Sequence, residues 1–157
     1  MKYICTKNAP EPGFYSQAVL IDLEKYNLLL FAGQTGNVPG VLDEPVIEGG
    51  LYNQTIQALK NILAVVKASG GTVKSIAEIK VFLKDSEETG DAKYSARTEA
   101  RKTFGVAYAD FFAKHGVSKE TKNLPARTLV WVSEVPLEFP SEDTLVELTA
   151  TAAIPKK

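Results

Sequence analysis

The stretch N-L-P-A-R-T-L-V-W-V-S-E-V, from Asn123 to Val135, decides how the rest of the chain is interpreted. Pro125 has no backbone N–H to donate, so it marks the entrance of a strand rather than its middle. The β-branched and apolar residues that follow it are typical of a strand. The two-residue period of a strand places Arg127 on one face with Leu129 and Trp131, while the other face is equally apolar. Both faces of this strand are therefore expected to be buried against other parts of the protein.

Arg127 lies at the mouth of this predicted strand. A guanidinium that enters an apolar strand is costly unless an anion meets it. One interpretation is a salt bridge to one of the chain's own carboxylates, and on this stretch alone we favour it. The other is a bidentate contact with the carboxylate or phosphate of a substrate, which the planar guanidinium matches with two parallel hydrogen bonds.

Length and composition bound the class of protein. A chain of 157 residues predicts a single domain over residues 1–157. With 45% hydrophobic residues, 24% charged residues and a formal charge of −1, the composition predicts a soluble globular protein and offers no basic field for nucleic acid. The longest apolar run, Leu28 to Ala32, is too short to cross a bilayer, and the first residues do not open a signal peptide. We therefore expect no membrane contact and a cytoplasmic location, with a mitochondrial one left open.

The chain has one cysteine, Cys5, and one histidine, His115. These counts exclude an internal disulfide and a Cys/His zinc site within one chain. His115 follows an apolar helical stretch and precedes Gly116, so a solvated imidazole near a helix C-terminus is the expected structure. We expect no metal site and no cofactor.

The remaining periodicity predicts strands and two helices. A spacing of three and four residues predicts a first helix from Leu51 that ends at Gly70, and a second helix is predicted from Ala92 to Lys114. Alternating or continuously apolar runs predict the strands. Those strands are Lys2–Thr6, Ala18–Leu23, Leu28–Ala32, Val73–Lys84, the strand of Arg127 and Thr144–Ala152. We expect the second and third of these to be adjacent strands.

Glu147 falls in the middle of the last predicted strand, on its mixed face. A mid-strand carboxylate is either a surface group of an edge strand or a buried group with a cationic partner, for which Arg127 is the obvious candidate.

Five short runs, taken together and in order, resemble the reactive intermediate deaminase family, also called YjgF-like or endoribonuclease L-PSP. They cover nearly the whole chain. They are Ala9-Pro10 through Gly13–Gln17, Phe31–Gln34, Gln54–Ile62, Ile79–Asp85, and Pro125–Arg127 followed by Val146–Leu148.

The resemblance implies an α+β fold of the chorismate mutase-like type, in which a sheet is backed by two helices. It also implies a homotrimer whose sheets form a central β-barrel, with sites in clefts between subunits. The implied activity is hydrolysis of enamines and imines such as 2-aminoacrylate, which gives a 2-keto acid and ammonia without a cofactor. Partners would be the small imino, enamino or keto acid and further copies of the chain.

The resemblance also assigns roles to single residues. Arg127 would hold the substrate carboxylate, and Glu147 would position or activate water as a general base. Gly33 would bring its backbone to the substrate, and Tyr15 would close the pocket.

Two substrate-contacting positions depart from the commoner family pattern. Ala32 replaces a serine, and Gly105 replaces an asparagine three residues before the aromatic that Tyr108 matches. The segment from Ser86 to Thr103 is also longer than usual, and with these departures it could suit a larger imine.

Two other classes remain as alternatives. The family's older label suggests an endoribonuclease or translation inhibitor, against which stand the slightly acidic charge, the single histidine and the lack of an aromatic and basic platform. A non-catalytic metabolite-binding or chaperone-like trimer would use the same cleft, and Ala32 and Gly105 are the best arguments for it.

Overall fold

The computed structural model describes residues 1–6, 8, 14–40, 46–121, 123–135 and 143–157. Most of the predicted turn from Asn8 to Gly13, residues 41–45 of the predicted loop 38–50, and most of the loop from Pro136 to Asp143 lie outside these residues. The Ala9–Gly13 part of the first family motif lies outside them as well.

The described residues form six strands and two long helices, with three strands before the first helix, one between the helices and two after the second. The elements are β1 (Lys2–Ile4), β2 (Ala18–Leu20), β3 (Tyr26–Leu30), α1 (Gly50–Ala68), β4 (Ile76–Lys84), α2 (Gly90–Lys114), β5 (Ala126–Val132) and β6 (Val146–Pro155). A short 3-10 turn, Val73–Ser75, precedes β4. The predicted α+β class is confirmed, and the second helix is a single continuous element.

Four strands form one mixed sheet in the order β3-β6-β4-β5. The last strand, β6, is antiparallel to both of its neighbours. Strands β4 and β5 are parallel, because α2 carries the chain back across the sheet between them. This crossover makes β5 an edge strand and places its first residues beside Glu78 and Ile79.

Both helices pack on one face of this sheet. Five apolar residues of α1 recur at helical spacing and face the sheet, as the periodicity predicts. Four aromatic residues in the second half of α2 are buried beside them, namely Phe104, Tyr108, Phe111 and Phe112. Alternate residues of β4 and β6 complete the core, namely Ile79, Val81, Leu83, Val146, Leu148, Ala150 and Ala152.

Gln54 fixes the start of β6 against α1. Its side chain is buried, donates to the carbonyl of Asp143 at 2.9 Å and accepts from the backbone N–H of Leu145 at 2.8 Å. A polar residue on the core face of a helix is thus fully paired, and it sets where the strand of Glu147 begins.

One expectation about the first third of the chain is wrong, and a second fails at one residue. The strands expected as neighbours do not pair, because β2 pairs with β1 in a separate two-stranded sheet and β3 pairs with β6. A short apolar run identifies a strand but carries no information about a partner far along the chain. The predicted exposed loop 38–50 contains Val46, which is buried and bridges to Asn37.

The face of the sheet opposite the helices, here called the open face, carries uncovered apolar side chains. Leu28, Leu30 and Val130 lie on it with exposed fractions of 47%, 71% and 41%. Phe82 and Glu147 share this face. Among the residues described, neither helix is both long and apolar enough to span a bilayer.

Candidate active site

Arg127 lies at the start of β5 on the side that faces α2. The ladder pairs it with the buried Ile79, and its guanidinium lies over three aromatic rings. The distances from its Cζ to the ring centroids are 5.2 Å for Tyr15, 5.4 Å for Phe104 and 4.7 Å for Tyr108. These distances are within the range of cation–π attraction. We call Arg127 and these three rings the Arg127 half-site.

Tyr15 reaches Arg127 because the residue after it is tied to the entrance of β5. The backbone N–H of Ser16 donates to the Pro125 carbonyl at 3.1 Å, and its buried hydroxyl donates to the Leu124 carbonyl at 2.6 Å. A parallel bridge also joins Ser16 to Ala126. The family motifs that contain Tyr15 and Arg127 therefore meet in space, although more than a hundred residues separate them.

The Arg127 guanidinium has no anionic partner in the described part of the chain. Its Nη1 is buried without a hydrogen-bond partner, and no described carboxylate forms an ion pair with it. Burial lowers the pKa of Arg127 from its usual range, while the Tyr108 and Tyr15 rings oppose that shift. The salt bridge favoured from the sequence stretch is therefore absent here. A buried cation in this state has strong affinity for an anion from outside.

Tyr108 contributes a second unpaired group beside Arg127. Its hydroxyl is buried without a hydrogen-bond partner, and burial raises its pKa above the usual range. Arg127 acts in the opposite direction and lowers that pKa. The half-site thus holds two buried polar groups that nothing in the described chain satisfies, which is the pattern expected of a ligand site.

Glu147 lies on β6, on the open face, and is partly exposed. Gly33 lies directly beneath its carboxylate, and a Cβ at position 33 would overlap the Glu147 side chain. The two are held together by reciprocal backbone hydrogen bonds between Gln34 and Leu148, at 2.7 and 2.8 Å. We call Gly33, Glu147 and the neighbouring exposed Ala32 the Glu147 half-site.

The two half-sites do not meet within one chain. Strand β4 separates β5 from β6, and the ladders place Arg127 level with Ile79 but Glu147 level with Phe82, on the other face. Two strand spacings and three residues correspond to roughly 14 Å between the two Cα atoms. The expectation that Arg127 is the partner of Glu147 is therefore wrong within a chain, because an odd offset along a sheet reverses the face.

Gly105 lies on α2 between Phe104 and Tyr108, which both belong to the Arg127 half-site. A Cβ at this position would meet no atom within 4 Å. The space for the Cβ of the expected asparagine is thus open. Phe104, by contrast, is a site residue that the sequence interpretation missed, although its spacing of four residues from Tyr108 could have placed both on one helix face.

The segment 86–103 folds as a short connection followed by the first half of α2, and it is anchored to the end of β4. Asp85 accepts two hydrogen bonds from Arg97, at 2.8 and 2.6 Å, and pairs with Lys93 at 3.0 Å. The Arg97 guanidinium also lies 5.6 Å from the centre of the Trp131 ring. Because of Arg97 first, and Lys93 second, the pKa of Asp85 lies well below its usual range.

The chain is similar in sequence to known proteins over nearly its whole length. The family model described as endoribonuclease L-PSP matches residues 6–154. A RutC family protein of Pyrococcus horikoshii is 33% identical over 95% of this chain and 94% of its own length. The 2-iminobutanoate/2-iminopropanoate deaminase of Escherichia coli is 30% identical over 96% of both chains.

The fold is also similar to that of solved structures. The crystal structure of E. coli TdcF with bound serine superposes with a TM-score of 0.62 at 26% identity, over 98% of both chains. The superposition therefore extends over nearly the whole fold. The chain belongs to the endoribonuclease L-PSP family, which is the reactive intermediate deaminase or YjgF-like family that its motifs resemble.

Proposed function

We propose that the protein hydrolyses 2-imino and 2-enamino acids to 2-keto acids and ammonia, as a homotrimer with its sites between subunits. The observation that carries this proposal is the buried Arg127 guanidinium, which lies among three aromatic rings without an anion. A relative that is 30% identical over nearly the full chain is named as a deaminase of such imines. The serine bound to TdcF supports a ligand of amino-acid size.

Arg127 provides what the substrate's carboxylate requires. A guanidinium offers two parallel N–H donors to a carboxylate and fixes its orientation. The Tyr15, Phe104 and Tyr108 rings leave the cation poorly hydrated, so its attraction for a carboxylate is stronger than it would be in water. The α-imine is conjugated to that carboxylate, so holding one end orients the carbon that water attacks.

Glu147 supplies the base. Its carboxylate takes a proton from water as the oxygen bonds to the imine carbon, and the proton then passes to the departing nitrogen. The hydroxyl proton of the resulting carbinolamine is then transferred to the same nitrogen through the Glu147 carboxylate, the C–N bond breaks, ammonia leaves, and the carbonyl of the 2-keto acid remains. One water is consumed, no electrons are exchanged, and the reaction as written draws only on groups of this chain and water.

The separation of the half-sites supports the shared-site arrangement. Neither Arg127 nor Glu147 alone makes a hydrolytic site, and one chain keeps them on opposite faces of the sheet. The apolar open face with Leu28, Leu30 and Val130 offers the surface on which another subunit would pack. In such an assembly the Arg127 half-site of one subunit faces the Glu147 half-site of the next.

Keto-acid release tests the proposal. Imines would be generated in situ by an amino-acid oxidase, over a series of side chains, and followed with wild type, Arg127→Ala and Glu147→Gln. Wild type is expected to accelerate release and both variants to lose the acceleration. Arg101→Ala, which removes an exposed arginine from α2, is the matched control and should behave as wild type.

Two results would contradict the proposal. Undiminished activity of Arg127→Ala, with circular dichroism and sedimentation unchanged, would remove Arg127 from the reaction. Absence of acceleration for every imine, with keto acids bound tightly, would make the protein a metabolite-binding member of its family.

A further inference from the structure

A second concave site lies on the outer helical layer. A cleft of about 550 Å³ opens between α1 and the last turns of α2. Its size is within the range of small-molecule pockets. Phe111 belongs to this cleft, whereas Tyr108, three residues earlier on α2, belongs to the Arg127 half-site. The cleft is therefore separate from the site of the proposed reaction.

The floor of the cleft is apolar. Ile56 and Leu63 of α1 meet Phe111 of α2 there, and the last two are nearly fully buried. The ring of Phe111 also contacts His115, with centroids 4.9 Å apart. A ligand with a flat apolar body would gain contact with this floor while removing few polar groups from water.

The rim of the cleft is positively charged. Lys60, Lys67 and Lys114 line it, and none of the three forms an ion pair with a described residue. Asp110 is the single carboxylate among the lining residues, and its oxygen accepts a hydrogen bond from the Tyr52 hydroxyl at 2.8 Å. In a chain with a net charge of −1, this is a local concentration of positive charge.

Helix polarity explains part of this pattern but not all of it. Lys67 and Lys114 lie in the last turns of their helices, where a cation is favoured by the helix dipole. Lys60 lies in the middle of α1, where that effect has faded.

We propose that this cleft binds a compact organic anion with an aromatic body, such as an aromatic carboxylate. The rings and aliphatic floor would contact the body, and the lysines would meet the carboxylate. A metal ion does not fit, since no three His, Cys, Asp or Glu side chains of the described residues come together. A polynucleotide would need a longer basic surface than three lysines.

Isothermal titration with 2-naphthoate tests the proposal on the full chain. Wild type is expected to bind it, and the double variant Lys60→Glu, Lys114→Glu to bind it about tenfold or more weakly, because two attractions become repulsions. The double variant Lys2→Glu, Lys74→Glu makes the same charge change elsewhere and should bind as wild type. Arg127→Ala should also bind as wild type, which separates this site from the proposed active site.

Three outcomes would overturn the proposal. The first is that 2-naphthoate does not bind, and the second is that the uncharged 2-naphthamide binds equally well. The third is that Arg127→Ala loses binding while the Lys60→Glu, Lys114→Glu variant keeps it. Circular dichroism of each variant distinguishes lost binding from lost fold.

Discussion

Gly33 is the residue on which the position of the Glu147 carboxylate depends most directly. A Cβ at position 33 would overlap that carboxylate, which lies at the end of a flexible side chain and can move away. We therefore expect Gly33→Ala to fold normally but to lose about 100-fold in kcat/KM for imine hydrolysis, because a displacement of about 1 Å costs that much. Steady-state kinetics measure kcat/KM, and a thermal melt shows whether the variant folds normally. Full activity would mean that Glu147 is not needed where it lies.

At Gly105, in contrast, we expect a substitution to stabilise the protein. It lies inside α2, where glycine is less stable than alanine, and a Cβ would meet nothing within 4 Å. Gly105→Ala should therefore raise the free energy of unfolding by about 0.5–1 kcal/mol. Urea unfolding followed by the fluorescence of Trp131, the single tryptophan, measures it. A loss of stability would mean that another group, such as a neighbouring subunit, closely approaches this position.

The sequence predicted the local strand position of Arg127 but not its spatial relation to Glu147. Pro125 marked the strand entrance correctly, and the two-residue period placed Arg127 on one face with Leu129 and Trp131, which the structure shows to be the helix side. The same period could not show that Glu147 lies on the opposite face, because the relation between two strands depends on register across β4.

Among the elements, the N-terminal half of α2 is anchored by ion pairs to Asp85, whose ionised form is stabilised in the folded state. Arg97 and Lys93 hold the pKa of Asp85 below its usual range. A lowered pKa in the folded state stabilises the fold when the carboxylate is ionised. This contribution is complete above the unfolded pKa of about 4 and disappears as pH falls through the folded value.

Asp85→Asn should therefore lower the unfolding temperature at pH 7, and the difference from wild type should shrink steadily below about pH 4. Glu99→Gln removes an acid from the same helix whose contact with Lys102 is exposed and 3.9 Å long, and it should change little. A difference that stays constant down to the lowest pH would show that Asp85 acts through packing rather than charge.

The helices and the central strands were predictable because each has a clear periodicity of apolar residues and a clear residue signal where it ends. Gly70 ends the first helix region with a positive φ of 83°, and the alternation of Ile79, Val81 and Leu83 fixes one face of β4. Strand partners were less predictable. Nothing in Ala18–Leu20 or Tyr26–Leu30 distinguishes pairing with each other from pairing with β1 and β6, which depends on contacts distant in sequence.

At the scale of the whole molecule, the open face of the sheet is the feature that a single chain leaves uncovered. Leu30 on β3 is 71% exposed and lies beside Thr151 in the ladder. If subunits pack there, Leu30→Glu should shift the protein from trimer to monomer in sedimentation velocity, because it would bury an unpaired charge. Leu23→Glu changes an equally apolar residue in the turn before β3 and should leave the trimer intact. A monomeric wild type would contradict the shared-site arrangement.

The most direct test of the account mixes two inactive variants. Arg127→Ala keeps Glu147, and Glu147→Gln keeps Arg127, so only a site built from one subunit of each kind is complete. Unfolding the two together in equal amounts and refolding them should restore about a quarter of the wild-type rate of keto-acid release, the fraction of subunit pairs with the correct order in a cyclic trimer. Each variant refolded alone should stay inactive. Mixed trimers that form but remain inactive would contradict the claim that Arg127 and Glu147 of different subunits make one site.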